Sequence, residues 1–211
     1  RKMADEALEC FRLSLNMLDT YDEASAKKIR NIENDTDHYE DVLGTYLTKI
    51  ARYQINDDDS ATMLKLLKAI GDFERIADHG MNVLESVEEL REKQIEFSDG
   101  AKKELGVLCD ALLEILEMTC RAFGQEDISA AYEVEPLEQV IDDLIARIRS
   151  HHVRRLRHGE CSIEMGFVLS DALTNFERVS DHCSNVAVAI IETEHNAYDI
   201  HSYLHGVKHG N

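Results

Sequence analysis

The sequence predicts an all-α fold of two tandem antiparallel three-helix bundles, six long helices arranged as an internal repeat, and three observations carry that expectation. Apolar residues recur at three- and four-residue steps almost throughout, as in Leu8, Phe11, Leu15 and Leu18 or in Leu105, Leu108, Leu112 and Ile115. That spacing lines one face of a helix. The 211 residues contain one proline, Pro136, and no tryptophan, and 44% are hydrophobic, a balance that suits neither a disordered chain nor a loop-rich β protein. Finally, "FERIADHGMNV" (Phe73 to Val83) returns as "FERVSDHCSNV" (Phe176 to Val186) 103 positions later, with seven of eleven letters identical.

The six helices are set by five breaks. These are "DTYDE" (Asp19 to Glu23), "NDDDS" (Asn56 to Ser60), "FSDG" (Phe97 to Gly100), "FGQED" (Phe123 to Asp127) and "HGECS" (His158 to Ser162). Each carries glycine or the short polar residues that cap a helix start. The helices fall into two sets of three, from about residue 3 to 96 and from about 101 to 195, which divides the chain into a bundle over 1–99, a second over 100–195 and a histidine-rich tail over 196–211. Asp22, Glu33 and Asp37 align with Asp127, Glu138 and Asp142 at an offset of 105, whereas the later block aligns at 103. The slip belongs in the intervening loop, where "QINDDDSATM" is longer than "RHGECSIEM", because loops absorb a length change at little cost. The tail, "HNAYDIHSYLHGVKHGN", is expected to dock or fray.

In the third helix Ile70, Phe73, Ala77, Gly80, Leu84 and Val87 form a core stripe, which leaves Glu74, Asp78 and Asn82 as a second row beside it. The helix before it places Glu33 and Asp37 at the same four-residue spacing, so two ExxxD pairs face each other across the groove between antiparallel neighbours. The second half repeats the pattern with Glu138 and Asp142 on one helix and Glu177, Asp181 and Asn185 on the next. Converging carboxylates repel one another, and protonation, a salt bridge or a bound cation relieves the repulsion. Arg75 and Arg178 are placed to form ordinary helix ion pairs with these rows. The doubling of the whole pattern favours metal instead. Oxygen ligands put iron, manganese, magnesium or calcium ahead of zinc.

His79 and His182 lie about 100° round the helix from the aspartates they follow. With Asn82 and Asn185 they are expected to support the ligands rather than bind the ion. Asp72, two residues ahead of Glu74, is replaced by Asn175 in the second repeat, so the second site should have one charge fewer nearby. Asp72 itself is expected on the far side of the helix, near His79. His201, His205 and His209 follow at i, i+4 and i+8, a zinc or nickel spacing if the tail is helical.

"FERIADHGMN" and "FERVSDHCSN", with "ENDTD" (Glu33 to Asp37) and "EQVID" (Glu138 to Asp142), resemble the repeated E(D)xxxD signatures of the PhoU family, over Met3 to about Glu194. The resemblance implies two tandem three-helix bundles that bind metal ions, including iron clusters, at the paired motifs. It also implies, for free-standing members, negative regulation of phosphate uptake and of the phosphate-starvation kinase. "AYDIHSYLHGVKHG" (Ala197 to Gly210) resembles the end of sodium-dependent phosphate cotransporters, whose cytoplasmic C-terminal region is PhoU-like. With the start at Arg1, this leads to the expectation of a cytoplasmic regulatory domain tethered to the inner face of the plasma membrane by an upstream transmembrane portion of the same polypeptide. The alternative is a free-standing regulator whose partner is a phosphate transporter or sensor kinase. Either form could be a homodimer.

Charge and chemistry narrow the remaining classes. A formal net charge of −19 argues against nucleic acid and anionic lipid as general partners. Five cysteines without a CxxC fit a reducing compartment, and Cys183 is expected in the core. "HHVRRLRHG" (His151 to Gly159) is the basic cluster, at a helix end where it complements the dipole or contacts phosphate or a transporter's membrane face. A ferritin-type di-metal oxidoreductase would need ExxH on two core helices, and the chain offers Glu192 to His195 alone. An adaptor with merely solvated acidic rows is the third reading. Nothing resembles a nucleophile with its base or a phosphate loop, so no enzyme is expected.

Overall fold

A computed structural model describes residues 1–53 and 56–208, apart from the side chains of 57, 58 and 195–208. Every described element is a helix: α1 (Lys2–Met17), α2 (Glu23–Ile50), α3 (Asp57–Glu92), α4 (Asp99–Gln125), α5 (Ile128–Arg157) and α6 (Ile163–Lys208). The five breaks fall where capping residues stand. Asp22, Asn56, Ser98 and Asp127 each accept a hydrogen bond from the backbone N–H three residues on, at 2.7, 2.7, 3.3 and 3.0 Å. Ser162 does the same for Met165 at 3.1 Å. Each cap satisfies a donor that the first turn of a helix leaves without a partner. At the end of α5, Gly159 adopts φ +71°, and the Glu160 N–H returns to the Arg155 carbonyl at 2.9 Å. That left-handed turn is cheap only for glycine.

α1, α2 and α3 pack on one another, as do α4, α5 and α6, and each trio is an antiparallel bundle. The two bundles then join along α3 and α6, the most extensive helix pair in the molecule, with α1 against α4 at the side. The expected stripe of Ile70, Phe73, Ala77, Gly80, Leu84 and Val87 is buried throughout. So is Cys183, and the five cysteines are free thiols. Buried residues of both halves form one continuous cluster rather than two separate cores. Two edge-to-face aromatic pairs stitch the seam, Phe11 of α1 against Phe176 of α6 at 6.1 Å and Phe73 of α3 against Phe123 of α4 at 5.2 Å. α2 and α5 stay on the outside.

The backbone does not break at residue 195. α6 continues to Lys208, because the stretch after Glu194 carries no proline and reaches its first glycine only at Gly206. The expected tail is therefore, in its backbone, an extension of the last helix as far as residue 208. The side chains of His201 and His205, and the whole of His209, lie outside the described residues. Among the described residues no helix is long and apolar enough to cross a membrane.

Phe176 is fully buried at the seam, so Phe176→Ala is expected to lower unfolding free energy by about 3–5 kcal/mol. Urea titration followed by circular dichroism measures this, and a loss below about 1 kcal/mol would mean that the bundles are not held by a shared core.

Candidate metal centre

The acidic rows lie in the two outer grooves, α2 against α3 and α5 against α6. In α2, Ile29, Ile32 and Thr36 are buried and roll the helix so that Glu33 sits half-buried at the groove edge and Asp37 at the surface. In α3, burial of Phe73, Ile76 and Ala77 leaves Glu74 and Asp78 half-buried on the facing edge. Carboxylate oxygens of Asp37, Glu40 and Glu74 all lie within 4.8 Å of one another. Glu74 is pushed up to about 7, first by burial and then by the charges of Asp78 and Glu40. Glu33 is raised by burial and by Asp78 and Asp37. Four of these five residues are the paired motifs, and they share one groove.

Glu40 was not foreseen. It follows Asp37 by three residues, so it lies on the same helix face, and extending the row by i+3 as well as i+4 would have found it. A Cβ on Gly71 would meet its Oε1 at 3.6 Å, which places the carboxylate over the turn just before Glu74. At the repeat offset of 105, Glu40 corresponds to Ile145, a core residue, so this carboxylate belongs to the first half only.

The second groove is built differently. Glu138 is raised to about 6 by burial and then by Asp142, Glu135 and Asp181, and Asp142 is raised by burial and by Glu177 and Asp181. Glu135 comes from three residues before Glu138, the mirror of the Glu40 extension, and accepts a hydrogen bond from Ser184. Two arginines enter this groove. Arg149 pairs with Glu177 at 2.8 Å, and Arg178 pairs with Asp181 at 3.2 Å. Among the described residues Glu33, Asp37, Glu40, Glu74 and Asp78 have no ion pair, and the position equivalent to Arg149 is Gly44. The second groove is partly neutralised by two ion pairs, whereas in the first Arg75 lowers Glu74 only weakly and without an ion pair.

The donor set consists of carboxylate oxygen. The nearest thiol, Cys10, lies beneath the first row, donates to the Ala77 carbonyl at 3.6 Å, and is pushed up to about 12 by burial and by the charges of Glu33 and Asp78. It stays protonated, and a thiol is a poor ligand. Glu33 and Glu74, raised first by burial and then by neighbouring carboxylates, stand among acidic residues that form no ion pair among the described residues, a set that fits a hard cation, which would take several oxygens at once.

His79, His182, Asn82 and Asn185 point elsewhere, across the seam. His79 Nδ1 donates to Asn175 Oδ1 at 2.8 Å, which also accepts from Asn82 Nδ2 at 3.2 Å. In the reciprocal set, His182 Nδ1 donates to Asp72 Oδ1 at 2.9 Å, which accepts from Asn185 Nδ2 at 3.3 Å. The two imidazoles stack between these sets, 5.6 Å apart and 27° from parallel. Asp72 thus pairs with the histidine of the opposite bundle and not with His79, because the position two before the motif glutamate faces α6. The Asp72-to-Asn175 difference changes the seam, and neither residue touches an acidic row.

A profile of the PhoU domain matches residues 1–87 and 106–190, both halves of the repeat. The chain belongs to the PhoU family. It is 28% identical over 210 residues to the phosphate-specific transport system accessory protein PhoU homolog 1 of Thermotoga maritima, an alignment that covers 99% of this chain and 89% of that protein. The PhoU homolog of Deinococcus radiodurans is 24% identical over 76% of this chain and 74% of its own length. Among solved structures, PhoU from Pseudomonas aeruginosa superposes with a TM-score of 0.86 at 21% identity, covering 92% of this chain and 93% of that one. The phosphate transport system regulatory protein PhoU from Streptococcus pneumoniae gives 0.79 at 18%, over 92% and 90%. The all-α PhoU fold expected from the sequence is the observed one.

The raised carboxyls make the stability of this PhoU-family chain depend on pH. Below an ordinary 4.5 Glu74 and Glu138 are protonated in folded and unfolded chains alike, and as pH climbs toward about 7 and about 6 the unfolded chain ionises more readily. Their contribution therefore falls across that window. Burial lowers His79 and His152 from 6.5, which acts in the opposite direction, so the variant comparison isolates the carboxyls. Without added metal, the Glu74→Gln, Glu138→Gln double variant is expected to gain Tm over the parent at pH 7.5 and to lose that gain at pH 4.5. Differential scanning calorimetry at the two pH values decides it.

Proposed function

We propose that this chain is a non-catalytic, metal-binding regulator of phosphate transport, free-standing in the manner of its PhoU relatives. The observation that supports the metal is the α2/α3 groove, where Asp37, Glu40 and Glu74 converge within 4.8 Å and form no ion pair among the described residues. In this reading Glu33, Asp37, Glu74 and Asp78, with Glu40, hold one centre, and Glu138, Asp142, Glu177 and Asp181 hold the other. The oxygen-only donor set favours iron, manganese, magnesium or calcium over zinc. The groove's own residues perform the binding: they neutralise the ion's charge, lose their repulsion, and draw α2 onto α3. His79, His182, Asn82 and Asn185 hold α3 and α6 in register, and so hold the two centres at a fixed spacing.

The class of partner is taken from the relatives. The Thermotoga and Deinococcus proteins are accessory proteins of phosphate-specific transport systems, and the matches span 89% and 74% of their lengths. This favours a separate regulator acting on a phosphate transporter or its sensor kinase from the cytoplasmic side over the C-terminal domain of a sodium/phosphate cotransporter.

Metal should stabilise the native state by about 2.7 kcal/mol at a hundredfold excess over Kd. Protein purified without chelator is expected to contain metal by elemental analysis and to gain Tm with manganese or iron. Asp78→Asn with Asp181→Asn should abolish both effects while folding at least as well without metal. Wild-type metal content in that double variant would refute the assignment. In cells, the same variant should release the restraint on labelled phosphate uptake, and uptake indistinguishable from that with the wild-type chain would remove the regulatory reading.

The first centre should fill before the second, because an ion entering the α5/α6 groove must displace Arg149 and Arg178. Calorimetric titration of the apo protein is expected to show two unequal sites. Arg149→Gln should tighten the weaker one and leave the stronger unchanged.

A further inference from the structure

Between the bundles, at the α6 end of the second acidic row, lies a cavity of about 540 Å³ whose walls include Arg75, His79, Arg178, His182, Glu138 and Asp181. Arg75 and Arg178, like His79 and His182, are related by the repeat offset of 103, so each half sends one arginine and one histidine into the same space. This is unusual ground in a chain of net charge −19. Arg75 is exposed and makes no ion pair among the described residues. Arg178 is held by Asp181 at 3.2 Å with its side chain 62% exposed.

The charges on the wall cancel as they stand, two arginines against Glu138 and Asp181. Both carboxylates belong to the second acidic row. Arg75 is opposed only by Glu74 of the first row, which it lowers without an ion pair, so when both rows are neutralised by cations, Asp181 no longer holds Arg178 and two guanidiniums face the cavity uncompensated. Guanidinium forks match the oxygens of a tetrahedral anion. We propose that this cavity is a phosphoryl-oxyanion site, formed by Arg75 and Arg178 at the pseudo-twofold axis between the bundles and completed when both acidic rows are loaded with metal. The proposal rests on the metal reading above. It adds a second ligand that couples the halves, since one arginine comes from α3 and the other from α6. Loading the rows and binding the anion favour each other, because each relieves a charge the other leaves exposed.

The space admits either inorganic phosphate or the phosphate end of a nucleotide, so both are probes. Equilibrium dialysis of the manganese-loaded full-length chain against labelled phosphate, and separately against labelled AMP, should show saturable binding that is at least tenfold weaker in metal-free protein. Arg75→Gln and Arg178→Gln are each expected to weaken it at least tenfold while manganese content stays at the wild-type level. Arg157→Gln, an equal charge change at the end of α5, should leave it unchanged. Binding of phosphate with no advantage for AMP identifies the free anion, and tighter binding of AMP identifies a nucleotide. If the loaded protein carries wild-type manganese but binds neither probe, the oxyanion site is refuted and the metal reading stands. Equal affinity in both arginine variants, or equal loss in Arg157→Gln, also refutes it. A chain that takes up no manganese at all overturns both readings.

Discussion

The packing of α3 against α6 is the constraint on which everything else depends. Each of these helices has two jobs at once: an apolar stripe that closes the shared core, and an acidic row turned about 100° from the polar residues at the seam. Because the stripe is buried along its length, neither helix can rotate without exposing Phe73 or Phe176 to water. That rotational lock sets where Glu74, Asp78, Glu177 and Asp181 point. It also sets the depth at which α2 and α5 can lie, since each rests on the outer face of its own bundle and contributes the opposing carboxylates.

Acidic residues in such grooves work against the fold. A helix groove lined by four or five carboxylates carries a cost of burial and of charge repulsion that the apolar core must exceed, and Glu74 and Glu138 are raised first by burial and then by neighbouring carboxylates. In the second groove two arginines relieve part of this repulsion internally, and in the first groove a glycine stands where one of them would be. A duplicated scaffold has thus diverged by a few side chains into one groove that carries less internal neutralisation than the other. Relief by an ion, unlike relief by an arginine, depends on the ion's concentration.

The seam connects the grooves physically. Asp78 and Asp181 are each followed by a histidine that bonds to the opposite bundle, so the same helical turn carries a carboxylate outward and an imidazole inward. A shift of that turn by a few tenths of an ångström at the acidic side would be felt at the stacked imidazoles, because helix backbone is stiff over one turn. The two reciprocal sets differ in one respect: the acceptor is a carboxylate at Asp72 and an amide at Asn175. A charged acceptor makes the stronger bond, so the Asp72 side of the seam is held more firmly.

The linear sequence by itself determined the number and order of the helices, their caps, the internal repeat and the eight motif carboxylates, since periodicity, capping chemistry and self-similarity are local properties read along one chain. It was also enough to expect the stripe from Ile70 to Val87 in the core. What only the tertiary structure decided concerns pairs of residues on different helices. The i+3 spacing from Asp37 puts Glu40 on the right face of α2, but that its carboxylate comes within 4.8 Å of Glu74, over Gly71, depends on how closely α2 approaches α3, which no pattern within α2 reports. Asp72 took His182 rather than His79 because helix register across the seam, which depends on how Phe11 and Phe176 interlock, chooses the partner. The ion pairs of the second groove likewise followed from inter-helix distance: Arg149 reached Glu177, while Arg75, with a motif carboxylate beside it in sequence, was left facing the cavity. A sequence specifies which faces are polar; only packing brings two faces together and decides which charges meet.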